Sequence, residues 1–114
     1  MNSYAFPALI GIAVTFGACL DAAIAADADK AGAIRCVSEY AVKLSAGNAS
    51  APEIGEAALS ACGAQVEAVV QAEFPAERLD PIFYIQLVRD IRANTEASFR
   101  RLAIRSAIEA RAGH

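Results

Sequence analysis

The chain has 114 residues, of which 56% are apolar, and a formal net charge of −3. That length allows one domain at most, and an acidic chain with a sequence pI of about 5.0 lacks the basic, aromatic-interleaved footprint of a nucleic-acid binder. Much of the apolar share is alanine, which packs closely but buries little area per residue, so the few large side chains must supply most of the core.

Residues 4–20, YAFPALIGIAVTFGACL, run for 17 positions without a charge and are followed by Asp21 and the small-residue string AAIAADADK. An apolar block followed by an A-x-A site is the grammar of a secretory signal peptide, and Ala23-Ile24-Ala25 places a cut before Ala26 or just after it. The expectation is a signal peptide over 1–26 and one helical domain over 27–114, periplasmic or secreted. The segment departs from the usual pattern in having no Lys or Arg at its start, and Pro7 weakens a rigid helix there. An uncleaved membrane anchor is the main alternative, since 17 residues reach the lower edge of a span. A lipoprotein site at Cys19 and a buried helix are the others. Only if residues 4–20 are retained does a membrane enter as a partner.

From Asp27 onward, Ile34, Val37, Ala41 and Leu44 recur at intervals of three and four, with Cys36 and Tyr40 on the flank, which predicts a helix over 27–47. Gly47 and Asn48 are the stop signal. Ser50-Ala51-Pro52-Glu53 opens a second helix over 51–73. Ser50 is its N-cap, Glu53 completes a capping box, and Pro52 sits in the first turn, where a missing amide costs nothing. Ile54, Leu59, Cys62, Val66 and Val69 mark its apolar side, and Phe74-Pro75 ends it. Asn48-Ala49-Ser50 also matches a glycosylation sequon, but turn plus N-cap explains it better. Asp80-Pro81 repeats the start signal, and a third helix over 80–112 follows with Tyr84, Val88, Ile91, Thr95, Leu102 and Ile108 as its stripe, widened by Phe83, Leu87 and Phe99. This last segment is longer than its neighbours, so it must overhang them, break near Asn94-Thr95, or use its surplus to bind something. Tyr40, Phe74, Phe83, Tyr84 and Phe99 are the expected aromatic core.

After removal of residues 1–26 the chain keeps two cysteines, Cys36 and Cys62. An even count in a short exported chain points to a disulfide. Cys36 lies 11 residues before Gly47, and Cys62 lies 11 residues after Ala51. Two antiparallel helices joined by a short turn therefore carry both at one height, and the alanines around them allow the close approach that a bridge requires. A metal site is disfavoured because neither cysteine has a C-x-x-C partner and the single histidine, His114, is terminal. A redox pair is disfavoured because both cysteines fall in mid-helix. The expected architecture is all-α: a disulfide-stapled antiparallel helical hairpin plus a long third helix, a small three-helix bundle.

Charge is segregated. Residues 27–77 hold eight acids and three bases, whereas residues 78–114 hold seven arginines and four acids. The plain reading is an acidic hairpin receiving a basic helix. The sharper one is an anionic-partner surface at Arg100, Arg101 and Arg105, in part neutralised by Glu96 and Glu109 one helical turn away. Glu53, Glu56, Glu67 and Glu73 read as the outer face of the second helix. No catalytic residue, cofactor or metal ligand is expected: no histidine or lysine lies beside a nucleophile, and no glycine-rich phosphate loop occurs. The function expected is that of a small non-enzymatic protein working in the cell envelope through protein–protein or surface interaction. Its partner is an unknown protein or a second copy bound through residues 80–112. The alternatives are a small periplasmic chaperone or inhibitor-like binder of an acidic or unfolded partner, and a membrane-anchored scaffold.

Overall fold

The computed structural model describes residues 27–76 and 80–113. The expected signal peptide, its cleavage site, Cys19 and His114 lie outside the described residues. All regular structure among the described residues is α-helical: α1 (27–44), α2 (Ala51–Ala61), α3 (Gly63–Ala72) and α4 (Pro81–Ala112).

The starts of the helices follow local chemistry. Ser50 caps α2, its Oγ accepting from the Glu53 amide at 3.3 Å. Glu53 returns to the Ser50 hydroxyl, which donates to its Oε1 at 2.9 Å, rather than to the Ser50 amide that a full capping box would use. Asp80 caps α4, its Oδ1 accepting from the amides of Ile82 and Phe83 at 3.0 and 3.3 Å, and Pro81 occupies the first helical position.

The end of α1 differs from expectation. The helix stops at residue 44, not 47, and no described residue has the positive φ of a glycine cap. Carbonyls of the turn that the helix leaves free are instead held by an arginine near the end of α4. Arg111 donates through Nε to the Ser45 carbonyl at 3.0 Å, and through its terminal nitrogen to the carbonyls of Gly47, at 3.2 Å, and Ala49.

The single helix expected over 51–73 is two. Cys62, at φ −101° and ψ 21°, ends α2 and opens α3. Its ψ lies far from the helical value near −42°, although its amide still donates to the Ala58 carbonyl and its carbonyl still accepts from Val66. Two features meet at this bend: the tie from Cys62 to Cys36, and Gly63, the residue that fills a helix interior worst after proline. The third expected helix is continuous. Its 32 residues pass through Asn94-Thr95 without a break and span about 48 Å at 1.5 Å per residue.

The core is built from small side chains. Ala33, Val37 and Ala41 of α1 meet Ile54, Ala58 and Cys62, then Val66, Val69 and Val70, then Phe99, Ala103 and Ala107 of α4. The buried row of α1 keeps the expected Val37 and Ala41 but departs at its ends: Ala33 is sealed while Ile34 stays 40% exposed, and Ser45 is buried while Leu44 is half-buried. Helix α4 packs more extensively along α2 than along α3, and Gly55 of α2 lies directly beneath Ile104 and Arg100. Of the five expected core aromatics only Phe99 is buried. Phe74 and Tyr84 are half-buried, and Tyr40 and Phe83 are exposed. The row that α4 buries is Thr95, Phe99, Ala103 and Ala107, and Ile108 is exposed.

Candidate interaction surface

Cys36 and Cys62 lie at disulfide distance, with Sγ–Sγ 2.10 Å and Cα–Cα 5.9 Å. Cys62 is buried and Cys36 half-buried, so the link sits against the core.

Of the four acids expected on an outer face, Glu53 is exposed and bonds only Ser50, whereas Glu56, Glu67 and Glu73 each reach a side chain of α4. Glu67 receives two bonds from the Arg92 guanidinium, one of them from Nη2 to Oε1 at 2.9 Å, and a third from the Gln71 amide at 3.1 Å. The Arg92 bonds, helped by Gln71, hold the Glu67 carboxyl down at about 2, and the same contact raises Arg92. Glu56 accepts from Arg100 Nε at 2.6 Å, and Glu73 accepts from Thr95 Oγ1 at 3.3 Å. Charge segregation along the chain thus becomes contact between helices.

This pairing divides the expected arginine surface. Arg100 is engaged by Glu56 on α2 and not by Glu96 on its own helix. Arg101 is exposed and donates to Ser98 Oγ at 3.2 Å. Arg105 is exposed and joins no ion pair among the described residues. The three fall within six residues of sequence, but of them only Arg101 and Arg105 are exposed without an acidic partner among the described residues.

Two further features lie where periodicity gave no warning. The first two turns of α4 leave Ile82, Phe83 and Ile85 exposed at 70%, 55% and 57%. Ile82 and Ile85, three apart, share a helix face with Arg89, and Phe83 adjoins them. The second is an open groove of about 490 Å³ between α1, α3 and α4, floored by Ile34, Val69, Phe99 and Leu102 and lined by Lys30 and Arg105. No helical repeat could have announced it, because each helix contributes only one to six residues to it.

Among the described residues no group of three or more His, Cys, Asp or Glu side chains is placed to hold a metal ion. No helix among them is long and apolar enough to cross a membrane. Compared with known protein families, curated proteins and solved structures, the chain shows no significant match.

Proposed function

We propose that this chain is an exported, non-enzymatic helical protein of the cell envelope, a disulfide-stapled hairpin crossed by a long last helix. In this reading it acts through its helical surface and pairs first with a second copy of itself through the start of α4. The observation that carries this is the exposure of Ile82, Phe83 and Ile85 on consecutive turns. Large apolar side chains grouped on a surface mark a place where another surface belongs. A helix end that projects such a group can meet its own copy across a two-fold axis, so that one patch serves both subunits. The cysteine pair supports the address, since a link of this kind persists outside a reducing cytoplasm.

Sedimentation velocity of the purified protein at micromolar concentration tests the pairing. A mass above that of one chain is expected, falling to one chain in Phe83→Glu and Ile85→Glu. A wild-type chain that stays monomeric across the concentration range overturns the reading. Intact mass of protein isolated from its host, with and without reductant, tests the address. Loss of residues 1–26 and a gain of two hydrogens on reduction are expected, and an unprocessed chain with all three cysteines as thiols refutes export.

A second reading, an anionic-partner surface at Arg100, Arg101 and Arg105, is supported by the outward, acid-free placement of Arg101 and Arg105. It is narrowed by the engagement of Arg100. Binding that washes off at moderate salt would mark it.

A further inference from the structure

The groove between α1, α3 and α4 has the volume of a ligand site, about 490 Å³, within the roughly 300–1,000 Å³ usual for one. Its lining runs along α4 from Asn94 to Arg105, a distance of about 16 Å at the helical rise. The floor is apolar and the charges are arranged unequally along it. Glu73, the one acid, stands at the Thr95 end and already accepts from the Thr95 hydroxyl at 3.3 Å. Arg105 stands at the other end. Lys30 comes in from α1, and neither cation joins an ion pair among the described residues.

A ligand suited to this lining is a slender apolar chain with one negative end. The chain would lie over Phe99 and Leu102, and the charge would sit at Arg105, away from Glu73. We propose that the groove binds a single-chain fatty carboxylate, with Arg105 clasping the carboxylate through its planar fork. The guanidinium geometry favours a carboxylate, which offers two coplanar oxygens. The proposal shares Arg105 with the anionic-partner reading and owes nothing to self-association through α4.

Isothermal titration of decanoate, below its micelle concentration, into the full purified protein tests it. Saturable one-to-one binding is expected. Decanol, with the same chain and no charge, should bind at least about tenfold more weakly, and so should decanoate to Arg105→Gln and to the double variant Lys30→Gln, Arg105→Gln. Circular dichroism should show unchanged helicity in both variants, since each alters a solvent-exposed side chain. Ile85→Glu, at the start of α4, should bind decanoate as the wild type does. Three results each overturn the proposal: no saturable binding, equal affinity in Arg105→Gln, or loss of binding in Ile85→Glu. The last would move the ligand to the start of α4, and a monomeric wild type that binds decanoate would separate the two readings.

Discussion

Gly55 of α2 sits so close to Ile104 of α4 that a Cβ placed on it would stand 3.0 Å from Ile104 Cγ1 and 3.3 Å from Arg100 Cγ. The glycine is fully buried in mid-helix, where it costs about 1 kcal/mol relative to alanine. The close approach offsets that cost. It lets α4 settle onto α2 and brings Ala58, Ala103 and Ala107 into the core.

Replacing Gly55 by leucine should therefore lower stability by about 1–3 kcal/mol, the cost of overpacking a filled site. Urea unfolding followed by far-ultraviolet circular dichroism measures it. A wild-type midpoint in Gly55→Leu would mean that α4 can move away from α2 without loss.

The Cys36–Cys62 link closes a loop with a sequence separation of 26. Chain entropy alone puts its contribution at about 3.5 kcal/mol. The Cys36→Ala, Cys62→Ala double variant, or the reduced wild type, should unfold at correspondingly lower urea. Coincident curves in oxidised and reduced protein would show that the packed helices do not need the link.

Arg111→Met keeps the apolar stem and removes the guanidinium that holds the carbonyls of Ser45, Gly47 and Ala49. A loss of about 2 kcal/mol is expected for charge-assisted bonds that are partly exposed. Amide hydrogen exchange should also quicken over residues 45–50 before it does in the core. Uniform quickening across the whole domain would argue against a local hold.

The Glu67 carboxyl, held at about 2 by Arg92 and Gln71, titrates below its ordinary value of 4.5. Its pKa is lower folded than unfolded, so its stabilising effect is complete above the unfolded value and disappears as pH falls toward 2. Urea midpoints of the wild type should drop between about pH 5 and pH 2 more steeply than those of Glu67→Gln. Parallel slopes would show that the Arg92 contact does not persist in solution.

Much of this fold was legible in the sequence because its signals are local. Ser50, Pro52, Asp80 and Pro81 fix helix starts within four residues of themselves, and the matched spacing of the cysteines about the turn is a matter of counting. Side chains that answer to distant partners were not legible. Periodicity favours the bulkiest residue in a row and so selected Ile34, whereas close-packed helices bury Ala33. Phe83 looked like core by type, but at the start of α4 it stays exposed. Glu56 and Glu67 looked like an outer face because nothing in α2 or α3 says where the arginines of α4 will lie. The groove was invisible for the same reason: Lys30 and Arg105 are 75 positions apart in the chain. The break at Cys62 has a partial signal in the glycine that follows it.

Arg111 also fixes an order of events. The guanidinium that quiets the turn between α1 and α2 is translated more than sixty residues after that turn. A growing polypeptide therefore carries an unfinished corner until Arg111 itself has been made. That corner stays unlatched until the arginine arrives, a property that suits any molecule handled as an open thread before it takes its shape.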